Sequence, residues 1–297
     1  MTEPGLARLW PEAGAAAAYA GMERELQIGR QIQAGFLPEQ LPTLPGWEIE
    51  VEFRPARQVA GDFYDVFDLP GSRRTALIVA DVCDKGVGAA LFMALIRTLL
   101  RHTAETGGLH TVGSLGWDPR AGLPAVGETP LLHAVNSTNR YLTRVHSSQG
   151  YFATVFFGML DADTGVLSYV NGGQNPPLHV SADGRLRAAL EPNGPAVGVL
   201  RDGQFRVGRV RIEPGDSLII YTDGVTECRA GSGEFFGEDR LLELATTPHA
   251  HARDQVRQIT SALERHADGN EQYDDITLLI LRRSADAPAQ GRLGNSS

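Results

Sequence analysis

Thr75-Ala76-Leu77-Ile78-Val79-Ala80-Asp81-Val82-Cys83-Asp84-Lys85-Gly86-Val87-Gly88 ends an apolar run on a carboxylate and passes through a glycine-flanked turn into a second apolar stretch. The first part reads as a strand, residues 74–80, and the second as a buried helix, residues 87–102. A carboxylate in mid-strand would have to take up a proton or pair with a cation. At a strand end it reaches solvent and metal while the strand fixes its direction. The same arrangement recurs where Asp223 closes Ser217-Leu218-Ile219-Ile220-Tyr221-Thr222 and where Asp274-Asp275 opens Ile276-Thr277-Leu278-Leu279-Ile280-Leu281. With Gly61-Asp62-Phe63-Tyr64-Asp65, four short segments carry seven aspartates. Asp223-Gly224 alone is an ordinary turn signal; three apolar strands flanked by acids point to a divalent-metal site.

Oxygen ligands from Asp, backbone carbonyl and water suit hard cations, Mn²⁺ or Mg²⁺. No His-x-x-x-His or Cys-x-x-Cys spacing competes for zinc, and His102, His133 and His179 stand in no ligand spacing. The helix start at Lys85-Gly86-Val87-Gly88 puts free backbone N–H groups near Asp81, suited to an anion or a water.

The 297 residues carry a formal charge of −9 and a pI near 5.4 without a lysine-arginine block, which argues against a nucleic-acid or anionic-membrane surface. Only Cys83 and Cys228 occur, no signal peptide precedes them, and the apolar runs fall short of the ~20 residues that cross a bilayer. The expectation is a cytoplasmic protein. Cys83 lacks a dependable basic neighbour and reads as a small residue in a tight loop, not a nucleophile.

Residues 1–21, rich in Gly, Ala and Pro, read as a flexible tail. Residues 22–37 form an amphipathic helix stopped by Pro38, and residues 22–43 with their Pro-rich link read as a regulatory or linker element. Its apolar stripe can pack on the following domain or against the same helix of a second subunit, giving a homodimer. Alternating Trp47, Ile49, Val51 and Phe53 predict a strand over 47–54, followed by 63–68. Residues 107–130 read as a long loop, mobile or a flap over the site, and 131–145 as a helix. Strands are expected at 152–160, 165–170, 178–180, 186–190 and 204–212, helices at 241–244 and 252–266, and a flexible tail at 284–297. Without regular strand–helix alternation, the class is α+β with antiparallel sheets covered by helices.

From about Glu25 to Arg283 the chain resembles the metal-dependent protein serine/threonine phosphatases of the 2C type, in their bacterial branch of sigma-factor-regulating and sporulation stage II protein E phosphatases. The resemblance rests on Leu26 to Pro38, Gly61 to Asp65, Ala80 to Leu91, Asn171-Gly172-Gly173-Gln174-Asn175-Pro176-Pro177, Tyr221 to Glu227 and Asp274 to Thr277. It implies a four-layer α-β-β-α sandwich over residues 44–283, with two antiparallel sheets flanked by helices. It also implies two Mn²⁺ or Mg²⁺ ions that activate a water. Asp81 takes the place of the bridging ligand, the Val82 carbonyl and Asp223 and Asp274 are further metal ligands, and Asp62 is a ligand or water-holding carboxylate. Asp62 and Asp81 are then the catalytic pair, and Asp275 stands where the family often has asparagine. The implied substrate is phosphoserine or phosphothreonine on a small protein, an antagonist of an anti-sigma factor. The chain departs from the family at Ala60, Cys83-Asp84, Gly88 and Gln174.

Arg57 and Lys85 are the cations nearest in sequence to these ligands and are candidates to bind phosphate; a solvated loop charge is the alternative for each. Neither a kinase glycine loop nor a P-loop is present. Two other readings stay open: a weakly active or inactive module that binds a phosphoprotein, and a metal-dependent hydrolase of small phosphate esters.

Overall fold

The computed structural model describes residues 9–70, 72–107 and 129–286. In chain order the elements are α1 (Leu9–Ala34), β1 (Trp47–Arg54), β2 (Phe63–Asp68), β3 (Arg74–Val82), α2 (Val87–Gly107), α3 (Thr129–Val145), β4 (Ala153–Asp161) and β5 (Val166–Gly172). There follow β6 (Leu178–Val180), β7 (Leu186–Ala189), β8 (Gly208–Arg211), β9 (Ser217–Tyr221), α4 (Asp223–Thr226), α5 (Glu238–Ala245), α6 (Ala252–Ala267) and β10 (Ile276–Arg283). Two five-stranded antiparallel sheets result, in the orders β1-β10-β9-β6-β7 and β2-β3-β4-β5-β8.

The uninterrupted apolar runs are explained by burial on both faces of each sheet. In β3, Leu77 and Val79 join Leu218, Ile220, Leu279 and Leu281 in the layer between the sheets. The alternate residues Ile78 and Ala80 face outward onto Met93, Ile96 and Leu100 of α2 and Leu131 and Val135 of α3. On the other side, Ile219, Leu278 and Ile280 meet Leu241 of α5 and Ile259 and Leu263 of α6. Each such side chain contributes roughly 1.5–3 kcal/mol on full burial. The layers run helix, sheet, sheet, helix, as the resemblance implies. Although α2 has the length and composition of a membrane span, its inner face packs in this core.

Two expectations shift. Residues 9–21, read as part of a flexible tail, continue the predicted helix towards the N-terminus, and α1 ends at Ala34 instead of Leu37. The run Ala15–Ala18, which looks like low complexity, consists of the strongest helix former. The strand expected over 204–212 shrinks to β8, Gly208–Arg211. Most of the loop expected at 107–130 and of the tail at 284–297 lies outside the described residues.

Candidate metal centre

The antiparallel registers bring the acidic segments together. Phe63 pairs with Ala80, so the start of β2 lies beside the end of β3, and Tyr221 pairs with Leu278, so the end of β9 lies beside the start of β10. Both pairs of ends meet across the sandwich. Asp62 Oδ2 accepts hydrogen bonds from Thr222 Oγ1 at 2.7 Å and Thr277 Oγ1 at 2.6 Å, which ties one sheet to the other through a predicted ligand. Asp62 is 2% exposed. Burial first, then the Asp81 and Asp275 charges, push its carboxyl well above the usual carboxylate range, against the two threonine hydroxyls.

Asp62 and Asp81 also act on each other's protonation. Burial, with the charges of Asp223 and Asp274, raises Asp81 to about 7. Asp223 is raised to about 6 by burial and by Asp274 and Glu227. The structure therefore brings Asp62, Asp81, Asp223 and Asp274 into one electrostatic unit that carries more negative charge than its surroundings balance. Such an all-oxygen donor set fits a hard divalent cation. Among the described residues, no group of three His, Cys, Asp or Glu side chains stands close enough together to hold a metal ion as placed.

Two glycines permit the close approach. A Cβ on Gly61 would lie 2.8 Å from the Val82 carbonyl oxygen, and one on Gly224 would lie 1.9 Å from the Asp275 carbonyl oxygen. Asp223-Gly224 is thus the start of the short helix α4 and not a free turn. The Asp275 carboxylate accepts backbone N–H groups from Ala56 at 2.7 Å, Gly61 at 2.8 Å and Asp62 at 3.4 Å. Its side chain braces the loop that carries Asp62.

The other sequence candidates divide. Lys85 Nζ pairs with Asp274 Oδ2 at 2.8 Å and donates to the Tyr273 carbonyl at 2.8 Å, so it already serves a predicted ligand. Arg57 is exposed, with Nη1 4.0 Å from where a Gly86 Cβ would stand, and is paired with no carboxylate among the described residues. Asp65 lies away from the centre, buried between Arg97 at 2.9 Å and Arg101 at 3.1 Å.

The positions that depart from the family pattern have well-defined local surroundings. Asp84 adopts φ 72°, a left-handed conformation that favours glycine, and its Oδ1 accepts its neighbour's N–H, from Lys85, at 2.8 Å. Gln174 bridges the sheets: it bonds the Thr154 hydroxyl, and its Nε2 donates to the Tyr221 carbonyl at 3.2 Å. Ala60 is held by Gln33 of α1, which donates to its carbonyl at 2.7 Å and accepts its N–H at 2.9 Å. A Cβ on Gly88 would stand 2.0 Å from the Tyr151 hydroxyl.

Thr222, Thr277 and Gln33 are the site residues that sequence reasoning did not single out. Each lay inside a quoted motif, but a polar side chain that points between sheets carries no periodic signal.

The family model described as Stage II sporulation protein E matches residues 71–284. "Protein IcfG" of Synechocystis sp. is 42% identical over 266 residues, covering 88% of this chain, which spans 42% of that protein's length. "Phosphoserine phosphatase RsbU" of Bacillus subtilis is 26% identical over 264 residues, covering 88% of this chain and 71% of that protein. Among solved structures, the SiaA-PP2C domain of Pseudomonas aeruginosa has a TM-score of 0.72 at 24% identity over 90% of this chain and 99% of that one. The RsbU and RsbW domains of Rv1364c from Mycobacterium tuberculosis have a TM-score of 0.63 at 28% identity over 85% and 64% of the two chains. With the two-sheet sandwich and the acids at its end already established, these matches place the chain in the stage II sporulation protein E family, with the PP2C-type phosphatase fold.

Proposed function

We propose that the chain hydrolyses phosphoserine or phosphothreonine on a small regulatory protein, an antagonist of an anti-sigma factor. Two Mn²⁺ or Mg²⁺ ions would be held by Asp62, Asp81, the Val82 carbonyl, Asp223 and Asp274. The observation that carries this reading is the joining of Asp62, Asp81, Asp223 and Asp274 into one over-acidic cluster where both sheets end. Bound there, the ions would supply a water of lowered pKa and neutralise phosphoryl oxygens. The chain's own contribution is placement. Asp62 is fixed by two threonine hydroxyls, Asp275 braces the Asp62 loop, and Lys85 balances Asp274. Arg57 is free to meet a phosphate in bidentate fashion. The similarity to RsbU, a phosphoserine phosphatase, supports the substrate class.

Phosphate release with Mn²⁺ tests the reading, first from an aryl phosphate, then from a panel of phosphorylated antagonists, unrelated phosphopeptides and a free nucleotide, with Asp81→Asn as control. A preference for one antagonist, lost in the control, is expected. Release from nothing would favour a phosphoprotein-binding module, and faster turnover of the nucleotide would favour a small-ester hydrolase.

The reading includes a homodimer through α1. Met22, Ile28 and Ile32 of α1 and Val87 and Leu91 of α2 are exposed apolar side chains. Five of the residues lining a groove of about 440 Å³ between them are Met22, Leu26, Ile32, Val87 and Leu91. A second copy of α1 has the matching apolar stripe. The Gln33 bonds to Ala60 link that helix to the loop of Asp62. Ile32→Glu is expected to give a slower-sedimenting species with altered turnover; unchanged mass and rate would remove the dimer from the reading.

A further inference from the structure

Beyond the metal centre, the segment after α4 turns back on itself. Arg229 pairs with Phe235 across a short antiparallel bridge, fixed by the Phe236 N–H on the Cys228 carbonyl at 2.8 Å and the Ala230 N–H on the Glu234 carbonyl at 2.9 Å. The hairpin places the Arg229 guanidinium 4.9 Å from the centre of the Phe235 ring and 4.3 Å from that of Tyr273. On the same Tyr273 ring rests Lys85 Nζ, at 4.0 Å. Lys85 in turn holds Asp274. Aromatic rings and cations therefore alternate from Phe235 through Arg229, Tyr273 and Lys85 to a candidate metal ligand.

Three features of this row are not needed for the fold. Phe235 and Tyr273 are 45% and 57% exposed, among the few large apolar side chains that reach solvent. Arg229 is exposed and paired with no carboxylate among the described residues, on a chain of net charge −9. A cleft of about 310 Å³ opens alongside, lined in part by Arg229, Asn270, Gln272, Tyr273 and Asp274, with room for a side chain of a bound partner. Arginine and tyrosine held in place are the side chains that most often anchor protein interfaces, and a ring face keeps a cation oriented without neutralising it.

We propose that Arg229, with Tyr273 and Phe235, reads the protein substrate beside its phosphorylated residue: Arg229 takes an acidic side chain, and the two rings take the apolar surface next to it. The proposal rests on the phosphatase reading. An extended peptide advances about 3.3 Å per residue, so a phosphoserine at the Asp274 end would carry one of its near neighbours, within roughly three residues, over Arg229.

The test uses the full chain with Mn²⁺ and phosphoserine peptides bearing Glu or Lys at each of three positions on either side of the phosphoserine, with an aryl phosphate as reference. Wild type is expected to prefer Glu to Lys at one position by roughly threefold to tenfold in kcat/KM, the scale of one exposed charge pair. Arg229→Glu is expected to invert that preference and to lower the ratio of peptide to aryl-phosphate turnover. Tyr273→Ala should lower the same ratio without inverting the charge preference. An Arg229→Glu enzyme with the wild-type preference would overturn the assignment while leaving the phosphatase reading intact. Absence of turnover of the aryl phosphate and of every peptide by wild type would instead overturn the phosphatase reading, and the proposal with it.

Discussion

Lys85 Nζ lies 2.8 Å from Asp274 Oδ2, so a candidate phosphate-binding cation neutralises a candidate metal ligand. Both side chains are about a quarter exposed, at 26% and 24%, and an ion pair in that setting is worth up to about 1 kcal/mol. A divalent ion at Asp274 has to share or displace the ammonium. Lys85→Met is expected to tighten Mn²⁺ binding by roughly threefold to fivefold in calorimetric titration and to raise KM for an aryl phosphate. Unchanged Mn²⁺ affinity would mean that the contact costs the metal nothing.

Asp81 titrates at about 7 and Asp223 at about 6, each raised from an ordinary value of 3.8 chiefly by burial. A carboxyl whose folded pKa is raised stabilises the fold below its unfolded value, and that stability is lost as pH rises through the folded value. Metal-free protein should therefore lose stability between about pH 4 and pH 7. Asp81→Asn removes one of these charges. In a chelator at pH 8 it is expected to be more stable than wild type by about 1–3 kcal/mol, the gap closing toward pH 4. Added Mn²⁺ should reverse the order, because only wild type keeps the full ligand set. Urea unfolding at several pH values, with and without Mn²⁺, measures both effects; a variant no more stable than wild type at pH 8 would refute the repulsion.

How much could be read in advance depended on the kind of signal. β3, β9 and β10 were legible because strands buried on both faces leave continuous apolar runs, and the acids at their ends marked where the sheets meet. The pairing of β1 with β10, at opposite ends of the chain, leaves no local trace in the residues of either strand. Within the site, Asp62, Asp81, Asp223 and Asp274 were visible as residue types at strand ends. Lys85 was visible only as a nearby cation, because its partner Asp274 is distant in sequence. Asp65 was counted with Asp62 among the seven aspartates of the four segments. Arg97 and Arg101, one turn apart on α2, claim it instead.

Asp275 separates bracing from metal binding. Its oxygens accept the N–H groups of Ala56, Gly61 and Asp62. Asp275→Ala leaves buried donors without partners and should cost about 2–4 kcal/mol in urea unfolding. Asp275→Asn keeps one carbonyl oxygen and should cost less. Mn²⁺ affinity should fall in the same order, because the Asp62 loop loosens. Were Asp275 a direct ligand, both variants would lose Mn²⁺ affinity with little change in stability, and that pattern would refute the brace.

Gly88 is one of the positions where the chain departs from the family pattern, and Tyr151 leaves no room there for a side chain. The Tyr151 ring stacks on Phe92 at 4.3 Å between centroids, and its hydroxyl is 3.4 Å from Asp84 Oδ2. A Cβ at position 88 would fall 2.0 Å from that hydroxyl and 2.9 Å from the ring carbon that bears it, so any side chain has to displace the ring. Gly88→Ala is therefore expected to destabilise the protein by about 1–3 kcal/mol, the usual cost of overpacking, despite alanine's better helix propensity. Tyr151→Ala alone loses the stacking on Phe92. In the double variant the clash is gone and the propensity gain remains. The double-mutant cycle should then give a coupling of at least about 1 kcal/mol, with the pair more stable than the sum of the single losses. Additive losses would show that Gly88 and Tyr151 are independent and that the glycine has another cause.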